Sequence, residues 1–114
     1  MLFRSNLKEN FTSVTPREVL DKVAALPISR WNFKGDATTP HVGPMAQDFY
    51  SAFGLGTDDK HIATVDADGV ALAAIQGLNQ IVKEKDARIE ALEKRLGELE
   101  QLVSALAEKE TRRP

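Results

Sequence analysis

The sequence predicts an α+β fold: a small mixed helix/strand head over residues 1–68, a long C-terminal helix over 69–110 that forms a parallel coiled coil, and a frayed tail at 111–114. Three observations carry this expectation. All five Phe, the single Trp and the single Tyr fall within the first 68 residues. From residue 69 onward there is no aromatic side chain, and Ala, Leu, Glu, Lys and Gln dominate. From Ile75 the apolar positions step by three and four without a break, the signature of a helix with one apolar seam.

The head is read element by element. In "TPREVLDKVAAL", Thr15 suits a helix cap, Pro16 the first helical position, and Glu18 completes a Thr-x-x-Glu capping box. Val19, Leu20, Val23 and Leu26 then share one apolar face, and Pro27 stops the helix. "ISRWNFK" alternates with period two, placing Ser29, Trp31 and Phe33 on one side of a strand that the turn-rich "GDATTP" closes. "HVGPMAQDFYSAF" predicts a short entry and a helix from about Pro44 to Phe53, with Met45, Phe49 and Phe53 on a shared face. "GLGTDD" breaks that helix. "KHIATV" is expected to be a second strand, and "DADG" a turn before the long helix, capped by Asp66 or Asp68. Trp31, Phe33, Phe49 and Tyr50 are assigned to the core, and His61 to a structural role.

The long helix carries five heptads. Ile75, Val82, Ile89, Leu96 and Val103 occupy position a; Leu78, Lys85, Leu92, Leu99 and Leu106 occupy d. A 3.5-residue apolar period draws helices into a supercoil. Arg88 and Arg95 fall at g, Glu93 and Glu100 at the following e positions, an arrangement that pairs across a parallel, in-register bundle. β-branched residues at a with leucine at d suit two strands. Lys85 is either a register-fixing interruption or a side chain that snorkels out of the seam. "VALAAIQGL", upstream, is expected to pack against the head.

Composition narrows the functional classes. At 114 residues there is room for one small domain. A formal charge of −2 argues against a nucleic-acid partner, which needs a basic surplus. There is no cysteine, hence neither disulfide nor thiolate metal site, and no clustered histidines to suggest a metal or other cofactor. No apolar run reaches the roughly 20 residues that span a bilayer, so no membrane partner is expected. The start lacks a basic-then-apolar signal profile, which fits the cytoplasm.

Four stretches stand in a telling order: "NLKENF", "HVGPMAQDF", "TVDADGVALAAIQGL" and the terminal heptads. Together they closely resemble the C-terminal intramolecular chaperone domain of phage endosialidases and tailspikes, which also occurs in other trimeric fibres and in myelin regulatory factors. The resemblance runs from about residue 4 to residue 103. It implies a three-stranded coil, a homotrimer, an upstream fibrous passenger, assembly in the bacterial cytoplasm, and release by a Ser/Lys self-cleavage. Asn10, His41, Gly43, Gln47, Asp48, Asp66 and Gly69 carry over as motif positions, His41 either orienting a cleavage group or bonding across chains.

The family's cleavage motif is similar to Ser-Asp-x-x-x-Lys, and Lys8, followed by "ENF", matches its lysine. Phe3 stands where the serine belongs and Arg4 where the acid belongs. Phenylalanine cannot attack a carbonyl. Ser5 is the remaining nucleophile candidate, two positions out of register. The expected function is therefore trimerisation and registration of a fibrous passenger, with cleavage lost or already complete. The alternatives are an active autoprotease using Ser5 and Lys8, and a plain coiled-coil adaptor. The Met-Leu-Phe start suggests a separate gene product or an excised piece, because a self-cleaved domain would begin with its own serine.

Overall fold

A computed structural model describes residues 5–112 of the chain. The sites assigned to Phe3 and Arg4 lie outside the described residues.

A short 3-10 turn at Ser5–Leu7 opens the described chain, and the Lys8 N–H closes it on the Ser5 carbonyl at 3.1 Å. Asn10 follows in the left-handed region at φ 58°, a conformation that asparagine tolerates better than other non-glycine residues. Helix α1 spans Pro16–Ala25, with proline at its start as expected. The capping box does not form: Thr15 makes no side-chain cap bond and contributes only its carbonyl, which accepts from Val19 N–H at 3.2 Å. Val19, Leu20, Val23 and Leu26 are half-buried, the predicted inward face.

Strand β1 is Ser29–Trp31, and its partner β2 is His41–Gly43. They pair antiparallel with Ser29 opposite Gly43, Arg30 opposite Val42 and Trp31 opposite His41. The connection turns at Gly35, φ 90°, where Asp36 N–H reaches the Phe33 carbonyl at 3.0 Å and the Thr38 hydroxyl donates to Asp36 at 2.9 Å. The strand expected in "KHIATV" is absent. Residues 61–63 are irregular, and a helix begins at Thr64. The segment read as an entry to α2 supplies the second strand instead. Three residues are too few for alternation to mark a strand; pairing with β1 decides it.

Helix α2 runs Ala46–Phe53, two residues shorter than expected, and ends on Gly54 in the left-handed conformation with its N–H on the Tyr50 carbonyl at 2.8 Å. Helix α3 is Thr64–Thr111. "DADG" is therefore the first turn of α3 and not a separate turn. The Ala63 carbonyl accepts from the N–H groups of Asp66 and Ala67, so neither Asp66 nor Asp68 is the cap. An aspartate in a first turn still suits the positive end of the helix dipole, which explains why a helix tolerates a turn-like tetrapeptide here.

The chain divides into two compact units, residues 1–78 and residues 79–114. In the first, the core is small: Phe49, Val70 and Ala74 are the buried apolar side chains among the described residues. Phe49 lies against Phe53 with ring centroids 5.0 Å apart. Val70, Ala74 and Gly77 form one buried stripe of α3, bearing out the expected packing of "VALAAIQGL". At Gly77 the backbone of α1 comes so close that a Cβ would stand 2.5 Å from the Pro16 carbonyl oxygen. Ile75 and Leu78, each one position beyond a member of that stripe, lie outside it and are exposed. In the second unit no described residue is buried.

Candidate functional site

Pairing β1 with β2 gathers three rings. Trp31 and His41 stack at 4.9 Å and 28°; Phe33 meets Trp31 edge-on at 4.8 Å and His41 at 5.4 Å. Antiparallel registry places Trp31 directly opposite His41, so two positions far apart in sequence become one aromatic unit. The indole Nε1 is buried with no hydrogen-bond partner. A Cβ on Gly43 would stand 3.9 Å from that nitrogen, so the motif glycine underlies the indole edge. Phe33 is 62% exposed and Tyr50 38% exposed, which corrects their assignment to the core.

Beside the rings lies a groove of about 610 Å³, floored by Trp31, Phe33, Met45 and Ile62 and edged by Asn32, Gln47, Lys34, Lys60 and His61. Gln47 thus reaches the same region as His41, through Trp31. Asp48 lies apart, in a second depression where α2 meets the end of α1 at Lys22, Leu26 and Pro27. Asp66 and Gly69 lie in a third, of about 420 Å³, lined by Val14, Val19, Phe53 and Val70. The motif positions therefore do not converge on one centre.

One loop is held electrostatically. The Asp58 carboxylate accepts from the Lys60 N–H at 2.9 Å, the His61 N–H at 3.1 Å and faces His61 Nδ1 at 3.0 Å. These bonds, the Lys60 N–H foremost and the His61 ring next, hold its pKa below the ordinary 3.8. A carboxylate with a depressed folded pKa supports the loop above its unfolded value and loses that support as pH falls through the folded one. Carboxyl NMR titration is expected to give Asp58 a midpoint below 3.8, with Lys60 and His61 amide shifts following it. A midpoint at or above that value would contradict the loop geometry. His61 is thus a loop-forming residue, as expected from sequence.

Ser5 and Lys8 are both exposed, joined through the backbone bond that closes the first turn. A proton-accepting lysine calls for burial, and Lys8 is exposed among the described residues. Among the described residues no group of three or more His, Asp or Glu is placed to hold a metal ion. No described helix is long and apolar enough to cross a membrane.

Phe33 is the groove residue that sequence reasoning misassigned; the face it shares with Trp31 was legible in the alternation of "ISRWNFK", but their partner His41 was not. Lys34 and Lys60 carried no signal at all.

Residues 5–54 match the family described as "Chaperone of endosialidase", and the resemblance seen in the sequence holds over that span. The match covers the 3-10 turn, α1, both strands and α2. No curated protein and no solved structure matches the chain.

Proposed function

We propose, from the endosialidase-chaperone sequence of residues 5–54, that this chain is a trimerisation chaperone domain that brings three copies of a fibrous passenger into register. The observation that carries the reading beyond the family match is the state of α3. Ile75, Leu78, Val82, Ile89, Leu92, Leu96, Leu99, Val103 and Leu106 are 46–66% exposed in the single chain. A stripe of apolar side chains at heptad spacing has one economical destination, the same stripe on other copies.

Function follows from the folding problem of the passenger. Fibres built from inter-chain β-structure must close contacts of high sequence separation, which is slow and leaves sticky edges exposed. Helical coils form from local contacts and associate first. Three passengers then meet at high effective concentration and in one register.

Light scattering on the isolated chain is expected to give three times the 12.6 kDa protomer mass, unchanged on dilution through the micromolar range. A concentration-independent dimer would favour a coiled-coil adaptor and remove the chaperone reading; a monomer would remove both.

We read Lys8 as a retained family lysine whose serine position holds Phe3, so cleavage is lost. With a passenger fused upstream, intact mass is expected to show it attached in both wild type and Lys8→Ala. Release in wild type that Lys8→Ala abolishes would establish the Ser5/Lys8 autoprotease instead.

A further inference from the structure

The groove beside Trp31 is cationic at its edge in a chain that is net acidic. Lys34 and Lys60 edge it, and no carboxylate is among its lining residues. Two acids precede Lys60 in that loop, and neither lines the groove: Asp58 is turned onto the Lys60 and His61 N–H groups and the His61 ring, and Asp59 is exposed. The floor is aromatic and apolar, shaped for a large side chain next to a carboxylate.

This chain carries such a stretch. Residues 8–15 form neither helix nor strand, and within them Glu9 is exposed and Phe11 is 71% exposed, among the most exposed large apolar residues of the protein. The left-handed Asn10 between them sets the course of that backbone. We propose that the groove of one copy receives the Glu9–Phe11 stretch of a second copy. Phe11 packs on Trp31 and Met45, and the Glu9 carboxylate meets Lys34 or Lys60.

The inference rests on the assembly reading above and deepens it: the coil brings the copies together, and the heads exchange their N-terminal stretches. Charge complementarity selects this occupant. Phe11 would bury apolar surface that a single chain leaves in water, and a charge-assisted bond desolvated beside aromatic rings is stronger than one on an open surface. Exchange also ties the segment that precedes α1 to a neighbour, so completion of the heads would follow, and report, assembly.

The test uses full-length chains, one half grown in nitrogen-15 and one half unlabelled, mixed by co-refolding. A zero-length carbodiimide reagent joins carboxylates to amines in contact, and mass spectrometry reads the isotopic make-up of each cross-link. The expected result is Glu9 joined to Lys34 or Lys60 in pairs of mixed isotope, the cross-link vanishing in Glu9→Gln, whose amide the reagent cannot activate and which therefore serves only to confirm the assignment. Phe11→Ala is expected to lower the same yield and to red-shift the emission of the only tryptophan, Trp31, with helix content unchanged. Light scattering on the same samples separates the two failures. A trimer whose Glu9 cross-links are absent, or carry one isotope only, overturns the exchange and leaves the assembly reading standing. A monomer overturns both. Cross-links from Glu9 to other lysines in mixed pairs, with Trp31 emission unmoved by Phe11→Ala, would place the stretch elsewhere and also overturn it.

Discussion

Gly77→Ala is expected to destabilise the head by about 1–3 kcal/mol, although helix propensity alone predicts a gain of roughly 1 kcal/mol at a helix interior. The sign turns on one distance. A Cβ at position 77 would sit 2.5 Å from the Pro16 carbonyl oxygen, 2.8 Å from its carbon and 3.1 Å from the Arg17 nitrogen. All three neighbours are backbone, so no side chain can swing aside. Either α1 moves off α3, loosening the stripe made by Val70 and Ala74, or the new methyl group is held in overlap. Gly69→Ala and Gly97→Ala are the matched controls, because a Cβ at either position meets nothing within 4 Å. Both are expected to stabilise by about 0.5–1 kcal/mol. Trp31 fluorescence in urea reports the head, and far-ultraviolet dichroism reports α3. If all three alanines stabilise alike, the close approach of α1 to α3 is wrong.

The second large effect belongs to the seam. Leu92→Asp with Leu99→Asp is expected to give a monomer by light scattering at concentrations where the proposed wild-type trimer is expected to form. Within one chain these leucines are 48% and 57% exposed, so the substitutions place no carboxylate at a buried position of the single chain. In an assembled coil each d position faces its counterparts, and every copy would bring two carboxylates into a desolvated layer, at several kcal/mol per charge. Residues 79–112 have no buried position of their own. Loss of association is therefore expected to reduce helix content as well, since a helix without a packed face is marginal in water. Glu93→Lys with Glu100→Lys is the milder companion: exposed ionic pairs contribute only tenths of a kcal/mol each, so the trimer is expected to persist but to dissociate at higher concentration. A double aspartate variant that remains fully assembled would mean that the heads, not the coil, hold the copies together.

The candidate groove shows where residue-level reading reaches and where it stops. His41, Gly43 and Gln47 were visible because they stand together in one short motif. Trp31 was visible as half of a period-two pattern. That Trp31 and His41 stack is a consequence of strand registry across a nine-residue connection, and nothing local in either segment specifies that registry. Lys34 and Lys60 come to one groove from loops that follow different elements, so their pairing has no sequence distance to mark it. Asp66 and Gly69, by contrast, looked like part of the same motif set and lie in a different depression. Family resemblance orders residues along the chain; it does not say which of them meet.

By itself the sequence determined what depends on short range. Helix α1 follows from proline at its first position and an apolar face at i, i+3 and i+4; α2 ends because Gly54 takes a left-handed backbone; the heptad seam follows from a period that any helix must display on one side. The resemblance of the N-terminal half was likewise written in local strings. Only the tertiary structure decided the partner of β1, the close approach at Gly77 and the stack of Trp31 on His41. The physical reason is common to all three. Each is fixed by a contact between residues distant in sequence, where three-residue strands and single glycines carry too little local preference to reveal what packs against them.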